Sequence, residues 1–186
     1  MKSSAIFLSI FFAVFLTACN TTDIKPSAND PGAKANTELQ IFEVFSDNRI
    51  YVFYNYDLYK EFLSVNETPY RLTKIGAGTN GMTLVYGLTK EDKKLKATIP
   101  EIELYEGKNI NTESFYGEMR RHGRIYVFDQ WSDMKPVRET GHPVFFYTEI
   151  GSGPKGETVV YVLNSKNKKH RPDSLMTQFK NKHIKR

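Results

Sequence analysis

Two stretches carry glycines at a spacing that can hold a phosphate. TKIGAGTNGMTLVYGL at 73–88 and TEIGSGPKGETVVYVL at 148–163 each contain GxGxxG. In a dinucleotide-binding fold this motif follows a strand and opens a helix, so that the helix N-terminus faces the pyrophosphate. Here MTLVYGL and ETVVYVL follow the glycines, and both read as strands. A kinase-type glycine loop does lie between two strands. Thr83 and Thr158 nevertheless stand where that motif wants Val, and no VAIK, HRD or DFG follows. Both motifs are therefore read as turns, where Gly supplies positive φ without strain.

The remaining chemistry-bearing residues are scattered. His122, His142, His170 and His183 have no partner at metal-ligand spacing, and there is no HExxH and no paired Cys. Neither GxSxG nor SxxK occurs, so no serine is set beside a base. Glu101 and Glu103 form a close carboxylate pair, which is expected to face solvent. Aromatic and basic residues interleave at Tyr70-Arg71 and in RIYVF, but without a single-strand binding signature, and a sheet core with Arg at its edge accounts for them. The expectation is a protein that is not an enzyme, with no catalytic residue, no cofactor, no metal and no nucleic-acid partner.

The elements that would position any site come in two copies. Residues 49–94 align on 124–169 without a gap, and 17 of 46 positions are identical. RIYVF recurs, as do the TxIGxGxxGxTxVYxL frame and a KK pair. Two copies are too few for a solenoid, so a closed pseudo-twofold domain is expected. In each copy, β-rich runs flank turn residues, at Ser46-Asp47-Asn48 and at Arg121-His122-Gly123, which predicts hairpins. Asp57 and Ser132 align as N-cap candidates before apolar residues at helical spacing, Tyr59 and Phe62 in one copy, Met134 and Val137 in the other. Two further strands follow.

The predicted fold is α+β: two tandem ββαββ repeats, at 39–96 and 113–169, joined by a connector at 97–112 and packed with pseudo-twofold symmetry. Residues 170–186 add a basic C-terminal amphipathic helix or tail whose apolar side is Leu175, Met176 and Phe179. RIYVF and TVVYVL are apolar on both faces, which predicts strands covered on two sides. One cover is expected to be the repeat's own helix and the other the second copy, giving one compact domain over 39–186. Outside the KK pair, the Arg, Lys and Thr positions kept identical are Arg49/Arg124, Lys60/Lys135, Thr73/Thr148 and Thr83/Thr158, for which paired structural roles suffice. A cleft between the copies lined by Arg49, Arg124 and tyrosines would point to a ligand.

The first residues differ in kind. MKSSAIFLSIFFAVFLTAC has one early lysine, an apolar run from Ala5 to Leu16 and small residues before Cys19. This is a secretory layout, and the run is shorter than the ~20 apolar residues that a spanning helix needs. Leu16-Thr17-Ala18-Cys19 resembles the lipobox of bacterial lipoproteins, in which a dedicated peptidase cuts before a diacylated cysteine. That resemblance implies a signal peptide at 1–18, lipidation at Cys19 and a palmitate-type anchor in the cell outer membrane, since Asn20 is not the Asp of inner-membrane retention. The body would then face the periplasm. Residues 19–38 are polar, with Pro, Gly and Asn, and read as a flexible tether.

With 40% hydrophobic, 13% aromatic and 25% charged residues, the 186-residue chain can build a globular core. Its formal charge of +5 is concentrated at 164–186, where Lys166, Lys168, Lys169, Arg171, Lys180, Lys182, Lys185 and Arg186 are the candidate contacts to an anionic partner. The sequence thus points to a lipid-anchored envelope module that binds or scaffolds without catalysis. Its partners would be membrane lipid through Cys19 and an envelope protein or anionic glycolipid. The alternatives are an anionic-polymer binder acting through the basic tail and a small-molecule carrier or enzyme with a site between the repeats.

Overall fold

A computed structural model describes residues 38–94, 99–108, 110 and 114–183. Cys19, the expected signal peptide at 1–18, the expected tether up to residue 37, and Lys185 and Arg186 lie outside the described residues. The described residues form one compact unit.

Among the described residues the fold is α+β, with one eight-stranded mixed sheet and four helices. β1 (Leu39–Ser46) and β2 (Arg49–Phe53) form a hairpin, as do β5 (Phe115–Arg121) and β6 (Arg124–Phe128). Asp47 and Asn48 turn the first at φ 50° and 58°, His122 and Gly123 the second at 52° and 72°. Two successive left-handed residues match the twist of a two-residue hairpin, and Asn, Asp, His and Gly reach that region at least cost. Helix α1 (Tyr56–Val65) follows β2, and α3 (Trp131–Thr140) follows β6. β3 (Arg71–Lys74) and β4 (Thr83–Gly87) complete the N-terminal half of the sheet, and β7 (Phe145–Glu149) and β8 (Thr158–Leu163) the C-terminal half. The strand order is β3-β4-β2-β1-β5-β6-β8-β7.

Both helices start earlier than the sequence suggests. Asn55 Oδ1 accepts from the Asp57 and Leu58 amides at 2.8 and 3.3 Å, so the α1 cap is Asn55 and Asp57 lies in the first turn. Ser132 is likewise inside α3, whose flanking Gln130 makes no side-chain cap bond. A tertiary contact holds that first turn, because Trp131 Nε1 donates to the Leu104 carbonyl at 2.9 Å. Pro136 sits mid-helix on an exposed position, where the carbonyl it strands stays within reach of water. The connector, for which the sequence reading assigned no element, holds α2 (Pro100–Glu106), with Pro at its start and Gly107 at φ 76° as its left-handed stop.

The two halves meet edge to edge. β1 and β5 pair in parallel from Leu39↔Phe115 to Val44↔Arg120. The expectation that one copy covers the other's sheet face is therefore wrong. The second covers are α2 and α4 (Asp173–His183), the helix that buries Leu175, Met176 and Phe179. On one face, Tyr59 and Phe62 of α1 join those three residues over Phe42, Phe53, Ile125, Val127, Val159 and Tyr161. On the other, Met134 and Val137 of α3 and Leu104 of α2 pack over Ile50, Val52, Leu84, Tyr86, Tyr126, Phe128 and Val160. Strands apolar on both sides thus obtain two covers from helices, which burial of both faces requires.

The glycine motifs are turns between antiparallel strands, β3–β4 and β7–β8. Gly76 and Gly151 have φ of 69° and 71°, Gly81 and Gly156 of 72° and 81°. The middle glycines serve closeness instead: a Cβ on Gly78 would lie 2.9 Å from the Met82 carbonyl oxygen, and one on Gly153 3.0 Å from that of Glu157. Every glycine of GxGxxG is explained by backbone geometry alone.

Candidate functional site

Pleating sends Glu43 of β1 to one face and Glu118 of β5 to the other, and both carboxylates are fully buried. Burying an unpaired charge is prohibitive, so each must find partners. Arg138 of α3 meets Glu43, its Nε at 3.0 and 3.1 Å from the two oxygens and an Nη at 2.5 Å. The same guanidinium donates to the Tyr105 carbonyl at 3.3 Å and lies 4.0 Å from the Tyr105 ring centroid. Burial, with Glu43 nearby, pushes the Tyr105 hydroxyl up to about 12. Burial weighs against the Arg138 charge, but Glu43 more than compensates, and the guanidinium ends above its ordinary value.

Glu118 is satisfied differently. Tyr59 and Tyr116 hydroxyls donate to it at 2.9 and 2.6 Å, and His183 Nε2 on α4 lies 2.8 Å from the same oxygen as Tyr116. Arg120 Nε donates to the Tyr59 hydroxyl at 2.7 Å and bridges with an Nη to Glu157 at 2.5 Å. Burial raises the Tyr59 and Tyr116 hydroxyls well above the phenolic range, with Glu118 adding to it. Burial also raises Tyr56, to about 12. A His–Glu–Tyr group of this kind resembles proton-transfer machinery in residue type. Its carboxylate is solvent-excluded, however, and the contacts around it tie α1, α4 and the β7–β8 turn to β5. This arrangement holds helices on a sheet.

Exposed chemistry gathers at the outer ends of the sheet. One cleft, of about 360 Å³, is lined by Arg49, Tyr51, Arg71, Thr73, Ile75, Thr83 and Val85. A second, of about 340 Å³, has Arg124, Tyr126, Phe146, Thr148, Ile150, Thr158 and Val160 with His142 and Pro143. The two lie on opposite faces: Tyr51 packs with the α1 cluster and Tyr126 with the α3 cluster. Arg49 and Arg124 are thus separated by β1 and β5 and line no common cleft. Ile75 and Ile150 are each 88% exposed at the cleft rims, and Phe146 is 56% exposed.

The C-terminal cations are dispersed. Lys182 pairs with Glu38 at 3.2 Å, Lys180 with Glu149 at 3.7 Å, and Arg171 with Glu149 and Asp173 at 3.7 and 3.0 Å. Lys168 sits 4.2 Å from the Phe145 ring centroid, while Lys166 and Lys169 are exposed. Glu103 is half-buried on α2, His122 is a hairpin turn residue, His142 lines the second cleft, and His170 is exposed. The side chain of Glu101 lies outside the described residues. No group of three metal-ligating side chains comes together among the described residues. No helix among them is long and apolar enough to cross a membrane.

Sequence reasoning passed over Glu43, Glu118, Arg138 and His183 as a buried partner, and took Arg71 only as an edge residue beside Tyr70. A signal for the first pair did exist: Glu43 and Glu118 are seventy-five residues apart, the offset at which 49–94 matches 124–169, in strands otherwise apolar or divergent. Searches against family models, curated proteins and solved structures return no match to this chain.

Proposed function

We propose that this protein is a lipid-anchored envelope lipoprotein whose body is a non-catalytic binding or scaffolding module made of two tandem ββαββ repeats about a pseudo-twofold axis. The duplication is supported by element bounds. Shifted by seventy-five, β2 and α1 become β6 and α3, and α2 falls within α4, so the connector helix and the C-terminal helix are counterparts. The strand order reads the same from either end under that exchange, and a twofold along the parallel β1·β5 contact would carry each cleft to the opposite face.

The observation that carries the binding reading is the pair of clefts. Six of the seven residues lining the first, Arg49, Tyr51, Thr73, Ile75, Thr83 and Val85, recur identically in the second. Among the Arg, Lys and Thr pairs kept identical outside the KK pair, only Lys60/Lys135 lies elsewhere. Three of these pairs, Arg49/Arg124, Thr73/Thr148 and Ile75/Ile150, are exposed, and identical exposed residues at shared clefts favour a common contact surface, because exposed positions away from binding or strain are nearly neutral to substitution. The buried glutamates, by contrast, are consumed by structure. The basic C-terminal segment is a weaker candidate, since Arg171, Lys180 and Lys182 are already neutralised.

Lipidation at Cys19 and periplasmic exposure rest on the leader. More than one acyl chain would anchor the chain stably, at about 0.8 kcal/mol per buried methylene. The test of the module is photo-crosslinking in cells from a reactive residue placed at Thr73 or Thr148, both exposed. Capture of another envelope component from either position is the expected result. Crosslinks from neither position, with a control at Lys60 equally silent, would refute it.

A further inference from the structure

Of the seven positions that line the first cleft, one has a different residue type at its counterpart in the second, and the difference is chemical. Where the second has Phe146, the first has Arg71, so Arg49 and Arg71 both line it together with the hydroxyls of Tyr51, Thr73 and Thr83. No carboxylate lines the cleft. Arg49 donates to the Tyr51 hydroxyl at 3.4 Å, with Asp47 acting on it from the hairpin turn, and neither arginine joins an ion pair among the described residues. Arg120 and Arg138, by contrast, are each matched to a glutamate. Two guanidiniums outside any ion pair, over hydroxyl donors, form a surface that repels cations and offers planar donor forks, which suit tetrahedral oxyanions.

We infer that the Arg49–Arg71 cleft binds a phosphate group, held by the two guanidiniums and the threonine and tyrosine hydroxyls. This rests on the reading of the clefts as contact surfaces and names the ligand for one of them. A cleft of about 360 Å³ is ample for a phosphate with one substituent. Val85 on the floor and Ile75, 88% exposed at the rim, offer that substituent an aliphatic wall. The phosphate of a lipid headgroup and free inorganic phosphate share the anionic chemistry and differ in use of that wall. The second cleft, with a single guanidinium and an exposed phenyl ring, is the built-in comparison and binds phosphate more weakly.

The full chain in neutral detergent micelles, labelled for amide and methyl NMR, tests this at low salt. Titration with inorganic pyrophosphate is expected to give saturable shifts at Arg49, Thr73 and Thr83. Arg49→Ala and Arg71→Ala should each weaken binding about tenfold or more, the loss expected for a charge-assisted contact, and Arg124→Ala should not. Arg71→Phe, which copies the second cleft, provides a variant with no cavity and the same expected loss. Dihexanoyl phosphatidylglycerol binding more tightly than pyrophosphate, with shifts at the Ile75 and Val85 methyls, identifies a lipid phosphate; equal binding without methyl shifts identifies free phosphate. Silence at residues 49–85 at about 10 mM pyrophosphate, shifts confined to Lys166–Lys182, or affinity indifferent to both arginine variants overturns the inference. Crosslinks from Thr73 that persist in the Arg71→Phe chain would show that the contact surface stands while the phosphate assignment falls.

Discussion

Arg138→Met tests the energetic logic of the fold most directly. Glu43 is 0% exposed and its side-chain partner is the Arg138 guanidinium, itself 6% exposed. Removing the arginine strands a carboxylate in the core, which costs about 3–5 kcal/mol, set against a total stability of about 5–15 kcal/mol for a domain. For a body of this size the melting midpoint should fall by roughly 6–20 °C. Glu43→Leu should cost less, because Arg138 still donates to the Tyr105 carbonyl, stacks on the Tyr105 ring and can tilt its head toward water. The double variant Glu43→Leu/Arg138→Met leaves no charge behind and keeps apolar volume against Tyr105. It should return to within about 1 kcal/mol of the parent, or exceed it. Urea unfolding of all four chains, fitted with a common slope, measures the cycle. A loss below about 1 kcal/mol for Arg138→Met, or a double variant as unstable as that single one, would show that the pair is not a mutually compensating buried charge.

Phe179→Ala, which empties a 1%-exposed site on α4 beside the Tyr161 ring, should cost about 3–5 kcal/mol in the same assay. Gly87→Ala brings a Cβ to 2.2 Å from the fully buried Phe53 ring and should cost on the order of 1–3 kcal/mol, while Gly123→Ala, in open space at φ 72°, should cost about 1 kcal/mol. Burial, with Asp133 nearby, raises the Asp129 carboxyl, and its Oδ1 has no hydrogen-bond partner among the described residues. The folded state therefore holds that proton more tightly than the unfolded state, and the associated stability is present below the ordinary carboxylate value and lost as pH rises through the elevated one. Asp129→Asn should thus stabilise at pH 7 by something on the order of 0.5 kcal/mol, discounted for partial exposure, and by nothing at pH 3 in thermal melts. Labelling cells with a radioactive fatty acid should mark the parent chain, and label surviving Cys19→Ala would refute the anchor.

Local chemistry was legible in the sequence wherever a few neighbouring residues determine the outcome. The Asp47-Asn48 and His122-Gly123 turns, the strand character of RIYVF and TVVYVL, and the turn role of both glycine motifs depend on φ preferences and period-two patterning within a handful of residues. The amphipathic face of α4 was legible for the same reason, from Leu175, Met176 and Phe179 alone. The Pro100 and Gly107 bounds of α2 were present in the sequence, but seven residues between punctuators give too little periodicity to identify a helix.

Tertiary structure decided everything that depends on which strand lies beside which. Parallel pairing of β1 with β5 places the halves side by side, turns Glu43 and Glu118 to opposite faces, and gives Arg138 and His183 partners 95 and 65 residues away in the chain. It also separates Arg49 from Arg124 and pairs Arg49 with Arg71 across a strand, a juxtaposition with no signature in spacing. The sequence alone determined that residues 49–94 match 124–169 without a gap; the sheet edge at which β1 meets β5 determined what each half exposes. That choice is set by the burial of long-range side chains and backbone hydrogen bonds, and no local preference encodes it.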